Sequence, residues 1–336
     1  MRKIIILSDP HLGLTRKANF TAESSVRRER IAYQLLEDLL ASYPQTYPLV
    51  CGGDLFDRFS NPERTVLRAY DLLSDGRNIH LLAGNHDVDQ RVESCSSLEL
   101  LGVLCEDNPG SMIEVLRTSV AVRTYDQAQL VFVPHCLSQD LFLEALELAR
   151  QASDHGAILF LHCTYDLSFD TSHTALNLTR EMAQSLLLHF RYVLLGHEHV
   201  PREDFGGRLR VIGSHYPTAF DNLSDKRHLL LDTQTLELES ITHWRSADYV
   251  YRGPADVARP GFDFYDLTDV ADSKLPLELF KQGALGVRVP GQETSLGRPD
   301  LEAVGVERLP ELIAKELAEQ PERLKLWLEL RGRINA

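Results

Sequence analysis

The chain has 336 residues, 43% of them hydrophobic and 25% charged, and carries a net charge of −14. Such a length suits one large domain with an appendage, and the composition is that of an ordinary globular protein. No apolar run reaches the roughly 18 residues that a membrane span needs, and the acidic balance weighs against a surface built mainly for nucleic acid.

The opening MRKIIILSDP has a basic pair and a short apolar run, but carboxylates and histidines follow at once. It reads as a first β-strand, 3–8, and not as an export signal. Further strands are expected at 48–52, 79–83, 130–134, 158–161, 192–195, 209–212 and 228–231. Amphipathic helices are expected near 23–41, 62–74, 138–152 and 178–190, the second with Asn61 as N-cap and Pro62 in the first helical position. Strands alternating with helices predict an α/β domain over 1–245. The strands after 190 come without long helices between them, so part of the sheet should be antiparallel. From 246 to 300 the chain is broken by Gly-Pro, Arg-Pro-Gly and Pro-Gly steps, with strand-like pieces at 261–267 and 286–289. That texture predicts a small α+β accessory domain. Past 301 an apolar stripe (Leu309, Leu312, Ile313, Leu317, then Leu324, Trp327, Leu328) predicts a helical tail. The five cysteines are odd in number and form no CxxC pair, which suits reduced thiols in the cytoplasm.

Four clusters each follow an apolar strand: Asp9-Pro10-His11, Gly52-Gly53-Asp54-Leu55-Phe56-Asp57, Gly84-Asn85-His86-Asp87 and Gly196-His197-Glu198-His199. Taken singly, Asp-x-His or Gly-Asp is ordinary turn chemistry. Together, at the carboxyl ends of strands, they place carboxylates, imidazoles and an amide along one edge of a sheet. That donor set suits Mn²⁺, Fe²⁺, Zn²⁺ or Mg²⁺, and two such ions about 4 Å apart can hold a phosphoryl group and activate water. Glycines before Asp54, Asn85 and His197 would let the backbone bring these side chains inward. A further histidine after an apolar strand is available at His135 (LVFVPHC) and at His162 (ILFLHCTYD).

These clusters resemble the motif signature of the calcineurin-like metallophosphoesterases, a two-sheet αββα sandwich, and within it the DNA-repair nuclease branch of the SbcD type. DPHLG, GGDLFD, GNHD and LLGHEHVP followed by RVIGSHYPTAFDN carry the likeness, which covers about residues 1–245; Pro10 and Ala219 depart from the branch's usual residues. The resemblance implies one metal held by Asp9, His11, Asp54 and His199. A second would be held by Asp54, Asn85, His162 and His197. His162 is chosen over His135 because it comes one strand before GHEH, where the family has this ligand. His86 would protonate the leaving oxygen, and Asp57 is the candidate to orient it.

The branch further implies two divalent ions, most readily Mn²⁺, and DNA as substrate, with duplex ends degraded and single strands cut internally. An SbcC-like ATPase of the structural-maintenance type would dock on the tail, and a homodimer is a further expectation. The chain contains no phosphate-binding G-x-x-x-x-G-K-[ST] sequence of its own, so any ATP dependence would come in trans. The competing readings are a phosphodiesterase or phosphatase on a nucleotide or other small phosphoester, and an inactive scaffold. Every ligand position is filled, which speaks against the scaffold.

Overall fold

The computed structural model describes residues 3–14, 21–88, 95–108, 110–167, 176–269 and 274–290. Its strands in chain order are β1 (Lys3–Leu7), β2 (Leu49–Cys51), β3 (Ile79–Leu82), β4 (Ile113–Leu116), β5 (Ala121–Tyr125), β6 (Ala128–Val133), β7 (Ile158–His162), β8 (Thr164–Tyr165) and β9 (Asn177–Leu178). They continue with β10 (Tyr192–Gly196), β11 (Arg202–Asp204), β12 (Leu209–Val211), β13 (Lys226–Asp232), β14 (Leu238–Trp244), β15 (Val250–Gly253), β16 (Phe264–Leu267) and β17 (Gly286–Arg288). The helices are α1 (Ala22–Ala41), α2 (Glu63–Leu73), α3 (Ser97–Glu106), α4 (Gln139–Gln151), α5 (Arg180–Leu186), α6 (Ser246–Tyr249) and α7 (Leu275–Lys281).

Two six-stranded sheets face each other, ordered β14-β13-β1-β2-β3-β4 and β11-β12-β10-β7-β6-β5. Between them lies an apolar layer that includes Ile4, Ile6, Val50, Phe132, Phe160 and Leu194. The outer face of the first sheet packs on α1, α2 and α3 through residues such as Tyr33, Leu36, Val66 and Leu101. The second packs on α4 and α5 through Phe142, Leu146 and Ala183. Central strands therefore bury both faces, which is why β1, β6, β7 and β10 read as nearly continuous apolar runs. The protein is an αββα sandwich.

The opening residues form a central strand, parallel to β2 and antiparallel to β13. The antiparallel pairs predicted after 190 are β1–β13, β13–β14 and β11–β12. Several elements were not anticipated, among them β4, β5, β14 and α3. Strands β4 and β5 lie at sheet edges and are only partly buried, so no long apolar run marks them, and β14, at the other edge of the first sheet, is buried only at its two ends. Helix α3 carries a legible start, since Ser96 accepts from Glu99 N and the Glu99 side chain accepts from Ser96 N, a capping box that the sequence reading passed over. One helix start is corrected. Pro62 is itself the N-cap of α2, while the Asn61 amide donates to Arg58 O at 2.7 Å, so Asn61 closes the preceding loop instead of capping the helix.

Past 245, β15, β16 and β17 form a parallel three-stranded sheet with α7 crossing from β16 to β17. Phe264 and Leu285 of this segment share an apolar cluster with Ala32, Tyr216 and Trp244 of the sandwich. The expected end of the accessory segment, 291–300, and the expected helical tail, 301–336, lie outside the described residues.

Candidate metal centre

The carboxyl ends of β1, β2 and β3 in one sheet and of β7 and β10 in the other meet at one rim of the sandwich. Turns at that rim carry Asp9, His11, Asp54, Asn85 and His197, while His162 ends β7 and His199 lies on the loop after β10. Three groups of side chains there have ligand atoms within 4.8 Å of one another: Asp9, His11 and His199; Asp54, His162 and His197; and His11, Asp54 and His86. Asp9, His11, Asp54 and His162 are each no more than 2% exposed.

The backbone is strained to achieve this. Asp9 (φ 51°), His11 (48°), Asp54 (49°) and His197 (87°) all lie in the left-handed region, which costs side-chain-bearing residues of the order of 1–3 kcal/mol each. The two glycines that matter most do so through proximity. A Cβ on Gly53, itself at φ 120°, would stand 2.0 Å from His162 Nδ1, and one on Gly84 would stand 2.1 Å from Asp54 Oδ1.

The hydrogen bonds around the histidines show what the centre is built to hold. His162 Nδ1 donates to Gly52 O at 2.9 Å, which leaves its Nε2 3.3 Å from Asp54 Oδ2 and 3.0 Å from Asn85 Oδ1. His199 Nδ1 lies 3.0 Å from Thr218 Oγ1, and His11 Nδ1 faces Asp57 Oδ1 at 3.5 Å. The Nε2 atoms of His11 and His199 confront each other at 3.0 Å. A cation held by both nitrogens fits that spacing, at imidazole–metal distances of about 2.1 Å. His197 Nδ1 stands 2.7 Å from the same Asn85 Oδ1. The residues present fit divalent metal.

Electrostatics agree. Burial pushes His11 well below the usual imidazole value and takes His197 and His199 down to about 3, so all three are neutral, the form that binds metal. Burial also raises Asp9, to about 6. At Asp54 burial acts in the same direction, but His162 and the neighbouring imidazoles outweigh it and hold the carboxyl below its ordinary range. Burial opposes a charged His162, yet Asp54 beside it raises it to about 9.

A calcineurin-like phosphoesterase family model matches residues 2–201. The chain belongs to that family. Members hydrolyse phosphoesters with divalent metal ions, and the calcineurin-like rim described above carries His/Asp clusters able to bind them. No curated protein matches the chain. Among solved structures, it is similar to the TT1561 protein of Thermus thermophilus, with 14% identity over 72% of this chain and 99% of that one at a TM-score of 0.45. It is also similar to phosphopantetheinyl hydrolase (PptH) of Mycobacterium tuberculosis, with 15% identity over 71% and 95% of the two chains and a TM-score of 0.43. A third is an archaeal phosphodiesterase, with 17% identity over 71% and 99% and a TM-score of 0.35.

One sequence assignment changes within this calcineurin-like site. Asp57 does meet His86, but through its backbone: His86 Nδ1 donates to Asp57 O at 2.5 Å. Its carboxylate turns the other way, to His11, because the left-handed turn at Asp54 folds residues 54–57 back along 9–12, where Asp57 N bonds Leu12 O. His135 reaches the centre only from behind, its Nδ1 3.2 Å from the carbonyl of His162. His86 itself is partly exposed, with Nε2 3.9 Å from Asp54 Oδ2.

The sequence reading assigned no role to Thr218, Asn222 or Arg28. Thr218 and Asn222 both approach His199 Nδ1, at 3.0 and 3.1 Å, and Arg28 Nη2 donates to Pro217 O and Thr218 O. Thr218 and Asn222 lay inside the quoted GSHYPTAFDN stretch; Arg28, within a run of helical charges, carried no signal. Among the described residues no helix is long and apolar enough to cross a membrane.

Proposed function

We propose that the protein is a manganese-dependent DNA nuclease, the hydrolytic subunit of a cytoplasmic DNA repair or recombination complex. The observation that supports this best is the contact between Gly213–Asn222 and His199. This stretch carries the likeness to the nuclease branch, and it is built into the wall of the centre through Thr218, Asn222 and the Ser214 N–H bond to His199 O.

In this reading Asp9, His11, Asp54 and His199 would hold one ion and Asp54, Asn85, His162 and His197 the other. When bound, the ions neutralise the phosphoryl oxygens and acidify a water for attack on phosphorus. His86, held by Asp57 O with Nε2 3.9 Å from Asp54 Oδ2, protonates the oxygen that departs as the P–O bond breaks. The accessory segment guides DNA, and the tail docks an SbcC-like ATPase; a homodimer would pair two such centres.

Linear duplex and single-stranded DNA, bis-p-nitrophenyl phosphate and p-nitrophenyl phosphate, each with Mn²⁺, test the proposal. Cleavage of DNA and of the diester is expected. Turnover confined to the monoester would make the protein a phosphatase instead. Deleting 301–336 should leave DNA cleavage and abolish co-purification with the ATPase; unchanged co-purification removes the tail from the proposal.

A further inference from the structure

Beside the metal centre lies a cavity of ≈ 570 Å³ that the reaction as described does not use. Its walls include Phe59, Val120, Leu141 and Ala145, with Arg117 and His135 among the polar groups, and Asp87 and Val88 at its edge. The cavity therefore lies alongside the catalytic rim. Asp87 and Val88 directly follow His86, Phe59 comes two residues after the Asp57 carbonyl that holds His86, and His135 packs behind His162 with ring centroids 6.2 Å apart.

These walls are set in place. The Phe59 carbonyl accepts from Ser97 N at 2.7 Å, tying the ring's backbone to the start of α3. Arg117 Nη1 donates to Glu99 Oε1 at 2.7 Å, and Glu99 Oε2 is itself held by Ser96 N. A half-buried aromatic ring, aliphatic side chains and a few anchored polar groups line a cavity suited to a flat aromatic group with polar edges. Proteins that take a base out of a stack hold it between such surfaces.

We infer that this cavity receives an unpaired nucleobase, that of the nucleotide on the leaving-group side of the scissile phosphate. The side follows from His86, since the residues flanking the leaving-oxygen proton donor are the ones that border the cavity. This rests on the nuclease reading and adds to it a preference for cutting where that base is free of its partner, in single strands or frayed ends.

The test uses the full-length protein with Mn²⁺ and single-stranded oligonucleotides carrying one abasic tetrahydrofuran residue at successive positions. Two variants, Leu141→Trp and Ala145→Trp, fill the slot; Leu141 is 50% exposed, so at least that one should fold, and melting temperature and manganese content verify both. Wild-type protein should cut about tenfold more slowly, the worth of one stacked base, when the abasic residue falls on the leaving-group side, and not when it falls on the other. The folded variants should cut the intact oligonucleotide as slowly as wild type cuts the abasic one, with no further loss on the abasic strand. No abasic penalty, or a penalty that persists in full in both variants, overturns the inference. A protein that turns over bis-p-nitrophenyl phosphate but no oligonucleotide overturns the nuclease reading and the inference with it, and is recognised by that pattern.

Discussion

Arg28, wholly buried in α1, donates to the carbonyl of Thr218 at 2.8 Å, and Thr218 in turn holds His199. A helix on the outer face of one sheet thus positions a side chain of the metal centre. Replacement by Met keeps the aliphatic stem and removes the donors, leaving two buried carbonyls unsatisfied. Arg28→Met should cost about 2–3 kcal/mol and shrink the rise in melting temperature that Mn²⁺ produces. Thermal melts with and without metal measure both effects. An undiminished metal-dependent rise would show that the contact is structural only.

Asp57 offers a way to separate two roles carried by one residue. Asp57→Asn leaves the carbonyl on His86 but discharges the group facing His11. Metal affinity should fall about 10- to 100-fold, while at saturating metal the dependence of rate on leaving-group pKa stays as in wild type. Isothermal titration with Mn²⁺ and a series of aryl phosphodiesters provide the two readouts. A changed leaving-group dependence would restore the carboxylate as the partner of His86.

His86→Ala should reduce hydrolysis by about 10²- to 10⁴-fold and retain metal, because its Nδ1 is committed to Asp57 O and its Nε2 stands 3.9 Å from Asp54 Oδ2. Asp54→Ala should lose metal and activity together, since Asp54 lies within reach of both His162 and His11. Metal content by mass spectrometry decides each case. Loss of metal from the His86 variant would place that residue among the ligands.

Metal binding should be strongly pH-dependent. In the metal-free protein His162 stays protonated below about 9, so an ion binding there at pH 7 must displace a proton. Affinity should therefore rise with pH toward about 9 and fall by about tenfold per unit below it. It should fall more steeply under pH 6, where the raised Asp9 also carries a proton. Calorimetry in buffers of different ionisation enthalpy counts the protons released; none released at pH 7 would contradict the charged state of His162.

Much of the architecture can be read along the chain because its central strands are buried on both faces and so are apolar without interruption. Elements that are half exposed gave no such run, and β4, β5 and β14 were missed for that reason. The motif residues were legible too, because each sits within a few residues of a strand end and strand ends converge on one rim.

What a single sequence determines here is therefore local: which residue types stand at which strand end, and hence that a cluster of carboxylates and imidazoles should form. Tertiary structure decided the pairings across the sandwich. It turned His162 toward Asp54 and Asn85 and left His135 behind it, facing the cavity. It directed the two ends of Asp57 to different histidines and brought Arg28 to a loop 190 residues away in sequence. Those contacts join distant segments through single hydrogen bonds, and a hydrogen bond between far-apart residues leaves no periodicity or spacing in the chain to be read.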